Sequence, residues 1–290
     1  MIRYPITTAK LEADIEEQKA GWLAHAKMKT AAFRAAKKFN EPDGQNSWSE
    51  IKPVFMRLQY NKCAFCDRQL SGLPQGRIEH DVEHFRPKNK VKNWTPRKNF
   101  SSRFPLGAAT NKGYHLLAYN IFNYATSCKP CNTVLKGNYF PIASQRVMDS
   151  DDFEKLRLEM PYLIYPISDF DDDPEDLITY QGILPIPKYR RGHKHQRARV
   201  TIDFFALDTR DDLLRLRAEI IRNIWVAFRA LENHRINDED RADAVSIIES
   251  AKSPNISQAA CARAFYELCH NDAVTARKFK EKAQEILRTN

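Results

Sequence analysis

The chain has 290 residues, of which 29% are charged, and its formal net charge is +9. This length can bury a sizeable core, and the scarcity of glycine and the lack of low-complexity runs exclude a disordered or fibrous protein. No stretch approaches the roughly twenty apolar residues of a membrane span, and the amino terminus lacks the pattern of a secretion signal. We therefore expect no membrane association and a cytoplasmic location, where cysteines stay reduced and tend to bind metal.

Helices are predicted in the first sixty residues. Residues 8–38 are rich in Ala, Lys, Glu and Leu and contain no proline, which predicts one or two helices. Apolar residues then recur at helical spacing from Trp48 to Leu58 and lead into the first cysteine pair. Trp48 is expected to anchor the core, with contact to DNA as the alternative. Residues 1–60 should thus form an N-terminal helical segment.

Two Cys-x-x-Cys pairs, Cys63 with Cys66 and Cys128 with Cys131, carry the clearest chemical signal. Together they supply four thiolates, which is the ligand set of a closed tetrahedral zinc site. The segment between the pairs must fold for all four sulfurs to reach one ion. We predict a structural Zn²⁺, and buried free cysteines are the alternative.

The segment 78–84, IEHDVEH, alternates in a way that predicts a short strand. A histidine beside a carboxylate is what metal-assisted phosphodiester hydrolysis requires, because the imidazole takes a proton from water while the acid holds a divalent cation. The alternatives are a charged, solvated strand or two additional zinc ligands. The two predicted faces of the strand carry Ile78, His80, Val82 and His84 on one side and Glu79, Asp81 and Glu83 on the other.

Basic residues are concentrated after this segment. Residues 85–148 contain no Asp or Glu and eleven Lys or Arg, so the rest of the chain sums to about −2. Basic side chains gain affinity for phosphates by releasing counterions, which predicts a nucleic-acid partner. The long loop 87–112 is expected to close over that partner. The predicted contacts are Arg86, Lys88, Lys90, Lys92, Arg97, Lys98 and Lys136.

The sign of the charge reverses beyond residue 148. The acidic segment 169–176 lacks the glycine turn of a calcium loop, so we expect a solvated loop or one that pairs with a basic partner. A hairpin is predicted over 178–186, followed by a basic segment at 188–199 that would extend the nucleic-acid surface.

The pattern is helical from residue 208 to the end. A long helix comes first, and further helices are predicted near 238–252, 256–269 and 272–288. Residues 149–290 should form a mainly helical lobe that serves as scaffold or binds another protein. Cys261 and Cys269 are expected in its core.

Four motifs together resemble those of HNH, or His-Me finger, endonucleases. They are similar in particular to the PtuB-like HNH nucleases of Septu and retron-associated anti-phage systems, and weaker likeness extends over 48–59 and 161–217. The resemblance implies an α+β, mainly α protein with a small ββα-metal core at 61–148, between N-terminal helices and a C-terminal helical lobe. The motifs are KCAFCD at 62–67, EHFRPK at 83–88, SCKPCN at 127–132 and KGNYFP at 136–141.

The resemblance also implies roles for individual residues. Glu83 and Asn132 would bind a catalytic Mg²⁺ or Mn²⁺, His84 would be the general base, and Asn123 would orient the base by hydrogen bonding. The final H of the name HNH denotes a histidine, and this sequence has Asn132 at that position. Family members usually have Asp at the position of Glu83. Because Glu-His occurs twice, His80 is the alternative base; His84 is preferred because FRPK follows it.

The implied reaction is hydrolysis of DNA, expected to be double-stranded. One such unit cuts one strand, so a double-strand break requires a homo-oligomer or two successive nicks. The resemblance implies an ATPase partner, since this chain has no phosphate-binding loop of its own. The alternatives are a zinc-stapled nucleic-acid-binding or adaptor protein without catalysis, and an HNH nuclease that cleaves RNA.

Overall fold

The computed structural model describes residues 1–42, 44, 46–97, 100 and 104–288. Within these residues the chain is α+β and mainly helical, with two separate two-stranded antiparallel sheets. This confirms the predicted fold class at the level of secondary structure. The predicted phosphate contact Lys98 lies outside the described residues.

The N-terminal helices follow the sequence pattern closely. Helix α1 (Thr8–Gln18) begins where the Thr7 side chain accepts a hydrogen bond from the Lys10 amide, as an N-cap does. Helix α2 (Trp22–Ala36) follows, so the predicted segment forms two helices. A 3₁₀ turn from Trp48 and helix α3 (Lys52–Leu58) then lead to the first cysteine pair, as predicted.

The first sheet spans the segment between the cysteine pairs. A single helical turn, α4 (Gly76–Glu79), precedes strand β1 (His80–His84), which pairs antiparallel with β2 (Tyr124–Cys128). His80 lies opposite Cys128 and His84 opposite Tyr124. A π-helix (Pro130–Lys136) follows β2 almost immediately and carries the end of the SCKPCN motif.

One detail of the strand prediction is wrong. Ile78 and Glu79 belong to α4 and not to the strand, and the Ile78 side chain is 77% exposed. The Glu79 carboxylate accepts hydrogen bonds from the amide and the hydroxyl of Ser71, at 2.7 and 2.8 Å. These local bonds stabilise the turn, and the strand begins only at His80; within it Glu83 and His84 are both buried, so burial does not alternate.

The C-terminal half contains the second sheet and the longer helices. The hairpin forms where it was predicted, with Gly182 at its turn in the left-handed region (φ 60°). The three later helices are also confirmed. The elements are α5 (Phe153–Arg157), α6 (Pro174–Leu177), β3 (Ile178–Gln181), β4 (Leu184–Pro187), α7 (Gly192–Phe204), α8 (Asp211–Leu231), α9 (Asp238–Lys252), α10 (Ala259–Asn271) and α11 (Ala273–Arg288).

Two hydrophobic clusters form the core. The larger one draws residues from α1 and α2, from the sheet of β1 and β2, and from α7 and the start of α8. The smaller one lies among α8 to α11 and contains Cys261 and Cys269 beside Phe265, as predicted. Among the described helices, none combines the length and apolar composition needed to cross a bilayer.

The acidic segment 169–176 finds its basic partners within the chain. Asp171 and Asp172 both pair with Arg197 of α7, at 2.6 and 2.8 Å. Glu175 pairs with Arg263 of α10 at 2.6 Å. These ion pairs join the segment to two helices of the C-terminal half.

Candidate active site and metal centre

The four predicted zinc ligands come together. Cys63, Cys66, Cys128 and Cys131 are all buried, and their Sγ atoms lie within 4.8 Å of one another. The Sγ atoms of Cys66 and Cys128 are 3.7 Å apart. Zn–S bonds of about 2.3 Å in a tetrahedron place sulfur atoms about 3.8 Å apart. The cluster therefore has the dimensions of a structural zinc site.

The local backbone explains how the cysteines converge. Cys63 and Cys66 lie on a tight turn after α3, in which Asp67 adopts a left-handed conformation (φ 60°). The Ala64 amide donates to the Thr126 carbonyl of β2 at 3.0 Å, which holds this turn against the strand. Cys128 ends β2 and Cys131 lies in the π-helix, so one strand-to-helix junction supplies the other two ligands.

The C-terminal half contacts the metal centre directly. The Arg210 guanidinium lies 3.3 Å from the Cys131 Sγ, and the Gln258 carboxamide donates to the Cys66 carbonyl at 2.7 Å. Four thiolates carry more negative charge than one Zn²⁺ offsets, so a neighbouring guanidinium stabilises the cluster. A metal bound by the four cysteines would therefore hold the sheet of β1 and β2 in place. It would also hold Arg210 before α8 and Gln258 before α10.

His84 is buried at the end of β1 in a defined tautomer. Its Nε2 lies 3.0 Å from the carbonyl oxygen of Ala118, which also accepts a hydrogen bond from the Tyr124 hydroxyl. Because a carbonyl only accepts, Nε2 must carry the proton, and Nδ1 has the free lone pair. Nδ1 has no hydrogen-bond partner among the described residues and is not fully enclosed. The ring is thus oriented as a proton acceptor.

Aromatic rings and positive charge surround this imidazole. The Trp48 and Tyr124 rings meet it edge-on, with centroids 4.8 and 5.0 Å away. Burial, together with the positive charges of Lys88 and Lys136, holds the pKa of His84 well below its ordinary value. The side chain is therefore neutral, and able to act as a base, at neutral pH.

Glu83 is buried next to His84 and contacts a cation. Its Oε1 lies 3.3 Å from the Nζ of Lys136, whose side chain is fully enclosed. Burial raises the pKa of Glu83 to about 7, although the charges of Lys136 and Lys88 act in the opposite direction. Because this carboxylate is buried, its attraction to a nearby cation is stronger than that of a carboxylate exposed to water.

The π-helix contacts β1 through its last residue, Lys136. The Gly137 amide donates to the Asn132 carbonyl at 2.7 Å, closing the wide turn that defines a π-helix. Asn132 precedes Lys136 by four residues, a spacing close to one turn of the helix, so we expect it on the side from which Lys136 reaches Glu83. Within the described part of the chain, the Asn132 carboxamide has no hydrogen-bond partner. Its oxygen is available as a ligand.

The Asn123 side chain bonds to backbone groups and not to His84. Its carboxamide oxygen accepts from the Arg86 amide at 2.8 Å, and its nitrogen donates to the carbonyls of Arg86 and Leu117, at 3.0 and 3.1 Å. The direct hydrogen-bond partner of His84 is the neighbouring Ala118 carbonyl. Asn123 thus holds the backbone two residues after His84 and the backbone next to Ala118. Sequence reasoning missed Ala118 because a backbone carbonyl leaves no signature in the sequence.

His80 lies at the other end of β1 in a closed environment. Its side chain is fully buried, and Nε2 lies 3.2 Å from the Ser71 carbonyl. Nδ1 is enclosed and has no partner among the described residues. A ring nitrogen in this setting has no path to a water molecule outside, which favours His84 over His80 as the base.

Three of the predicted phosphate contacts are engaged inside the protein. Arg86 is buried against Glu159, with its Nε 3.1 Å from the carboxylate. Arg97 pairs with Asp203 and Asp208, each at 2.6 Å. Lys136 pairs with Glu83, as described above. These three side chains form ion pairs within the chain, with acids that lie outside the acid-free segment, and their contact with phosphate stays a prediction.

The other predicted contacts lie closer to solvent. Lys90 and Lys92 are exposed. Lys88 is half-buried, and its Nζ lies 4.6 Å from the centroid of the Trp48 ring, which itself contacts His84. A basic surface therefore leads toward the base, but it is smaller than the sequence predicts.

A comparison with characterised proteins finds one significant relative. Over 176 residues the chain is 26% identical to "Septu protein PtuB" of Bacillus mycoides (strain KBAB4). The chain resembles PtuB. The match covers 60% of this chain and 52% of that protein, so it spans about half the length of the relative. No family model and no solved structure matches. The predicted likeness to PtuB-like proteins is confirmed, and the HNH assignment stays a prediction.

Proposed function

We propose that this chain is a metal-dependent HNH endonuclease that hydrolyses phosphodiester bonds of DNA. The observation that carries the proposal is the state of His84, a neutral imidazole with Nε2 bonded to the Ala118 carbonyl and Nδ1 free. A fixed base of this kind beside a buried carboxylate is what the reaction requires. Residues 61–148 would form the nuclease core in this proposal.

The residues present fit a divalent cation. Glu83 and Asn132 offer carboxylate and carboxamide oxygens, the ligands that Mg²⁺ and Mn²⁺ prefer. The ammonium of Lys136 already lies against Glu83, which marks this place as one where positive charge is stabilised. A bound cation would supply electrostatic stabilisation of the phosphate and of the leaving 3′ oxygen.

The side chains of this chain perform the proton transfer. Nδ1 of His84 accepts the proton of the attacking water, and the Nε2–H bond to Ala118 then stabilises the imidazolium that forms. The edges of the Trp48 and Tyr124 rings prevent rotation of the imidazole. Asn123 keeps the Leu117 carbonyl in place and with it the adjoining acceptor of the base.

Similarity to PtuB supports a biological setting for this chemistry. We place the chain in an anti-phage defence system of the Septu or retron type, as its nuclease component. An ATPase partner would then restrain or direct cleavage. A protein that cuts DNA in its own cell needs such control.

The test is cleavage of supercoiled plasmid by the purified full chain with Mn²⁺, with Mg²⁺ and with EDTA. We expect nicking that needs the metal and that falls by about 10²- to 10⁴-fold in His84→Ala, the usual contribution of a general base. His234→Ala is the matched control, because that histidine is exposed in the C-terminal half. If the chain alone is inactive, the assay is repeated with the co-purified partner.

Two results would replace the proposal. DNA binding without cleavage, unchanged in His84→Ala, would identify a zinc-stapled binding or adaptor protein. Cleavage of tRNA but not of plasmid, under the same conditions, would identify an RNA nuclease.

A further inference from the structure

The contact between Lys136 and Glu83 affects how a metal ion could bind to Glu83. The Lys136 side chain is fully enclosed, and its Nζ lies 3.3 Å from Oε1 of Glu83. Among the described residues the ammonium has no hydrogen-bond partner, and Glu83 is the anion within ion-pair distance of it. A buried ammonium requires a nearby anion, so this lysine depends on the Glu83 carboxylate.

The same carboxylate is the proposed ligand of the divalent cation. A cation bound to Glu83 would lie within a few ångströms of the ammonium, in a buried place where like charges repel strongly. At that moment Lys136 would also lose the anion that offsets its own charge. The ammonium in its present position therefore opposes the binding of a divalent cation to Glu83.

We propose that Lys136 competes with the divalent cation for the Glu83 carboxylate. This inference rests on the proposed function and deepens it. Loading the metal requires the ammonium to leave the carboxylate. Lys136 thereby raises the metal concentration at which the site becomes active.

The position of Lys136 allows such a movement. It is the last residue of the π-helix, and Gly137 follows in the left-handed region (φ 41°). Wide helical turns of this kind are uncommon and recur at functional sites. Lysine carries its charge on a flexible four-carbon stem, so the ammonium can be displaced while Asn132 stays in the helix.

A second lysine provides the matched control. Lys129 precedes the π-helix and pairs with Asp81, which is two residues before Glu83 on β1, at 2.6 Å. Two ion pairs, Lys129 with Asp81 and Lys136 with Glu83, therefore join β1 to the segment 129–136. Lys129 is 56% exposed, whereas Lys136 is 0% exposed. Solvent screens the first pair, and only the second lies at the proposed ligand.

The experiment measures Mn²⁺ binding by electron paramagnetic resonance of the free ion, with the zinc-loaded full chain at pH 8. We expect Lys136→Met to bind Mn²⁺ at least about tenfold more tightly than the wild type, and Lys129→Met to stay within about twofold. Glu83→Gln should lose this site. Equal or weaker binding by a folded Lys136→Met would overturn the proposal.

A labelling experiment on the wild type avoids dependence on the folding of a variant. Reductive methylation followed by mass spectrometry of peptides reports whether each lysine is accessible. We expect Lys136 to be protected without metal and to become several-fold more reactive with saturating Mn²⁺, while Lys129 stays reactive throughout. Protection of Lys136 that does not change with Mn²⁺ would contradict the proposal.

The competition at Glu83 and the nuclease activity can be refuted separately. Metal-dependent nicking together with unchanged Mn²⁺ affinity in Lys136→Met would refute the competition and leave the nuclease assignment intact. Absence of nicking, with Mn²⁺ binding that is the same in the wild type and in Glu83→Gln, would refute both.

Discussion

The two ends of β1 carry the same dipeptide, Glu-His, in different surroundings. At the first end, Glu79 is exposed and bonded to Ser71, and both ring nitrogens of His80 are enclosed. At the second end, Glu83 is buried against a lysine, and His84 has one ring nitrogen fixed and the other free. The sequence motif alone therefore does not assign a base. The burial of the acid and the access of the imidazole distinguish the two.

The largest expected loss of stability follows from a substitution in the four-cysteine cluster next to β1 and β2. Cys63→Ala removes one of four converging ligands, and we expect loss of zinc and of the folded core, because structural zinc contributes roughly 10 kcal/mol or more in small domains. Cys261→Ala is the control, a buried cysteine outside the cluster that should cost about 1–2 kcal/mol. Zinc content and thermal unfolding check both variants. Full zinc content in Cys63→Ala would exclude it as a ligand.

The acids at the two ends give the next contrast. Glu83→Gln keeps the shape of the side chain but removes the proposed ligand charge, and we expect metal-dependent nicking to fall by about 10²-fold or more. Glu79→Gln keeps the hydrogen bonds to Ser71 in weakened form and should retain most of the activity. Rates are compared at saturating Mn²⁺. Similar losses in both variants would remove the distinction between the two ends.

The pH dependence sharpens the role of Glu83. Its pKa is raised to about 7, so below that pH the carboxyl group is protonated and does not bind the metal. His84 stays unprotonated there, because its pKa lies well below the ordinary value. We expect kcat/KM at low Mn²⁺ to fall about tenfold per pH unit below about 7.

Repeating the pH profile at a second Mn²⁺ concentration tests whether the fall in kcat/KM below about pH 7 is caused by protonation of Glu83. Protons and Mn²⁺ compete for the same carboxylate, so the acid limb should move to lower pH when Mn²⁺ is raised. A limb that stays at the same pH would belong to another group.

The smallest effect is expected at Trp48. Trp48→Ala removes the edge contact to the His84 ring and the support beneath Lys88, contacts worth about 0.5–1.5 kcal/mol. We expect a loss of about twofold to tenfold in kcat with unchanged zinc content. Phe39→Ala is the control, since Phe39 contacts Trp48 but not the histidine in the contacts described. A larger loss in Phe39→Ala would mean that the pocket acts through general packing.

Local patterns were enough to predict most of the fold. The helices of residues 8–38, the helix before Cys63 and the C-terminal helices follow from apolar spacing, which depends on neighbours in sequence. The prediction failed at Ile78 and Glu79, where side-chain hydrogen bonds to Ser71 stabilise a turn. Contacts of that kind are not visible in an alternating pattern.

The candidate site was predictable in its residue types but not in its pairings. The four cysteines were recognised by spacing, and their sulfurs converge. Arg86 was expected at a phosphate, yet Glu159, more than seventy residues later, buries it. Part of the positive charge of the acid-free segment is thus offset by acids elsewhere in the chain, and no local charge count can show this.

The most direct test of the account compares His84→Ala with His80→Ala in one assay, at equal zinc content, as rates of Mn²⁺-dependent plasmid nicking. The account predicts a loss of about 10²- to 10⁴-fold for His84→Ala and at most a severalfold loss for folded His80→Ala. The reverse order, with His80→Ala inactive and His84→Ala active, would contradict it and would move the base to the other end of the strand.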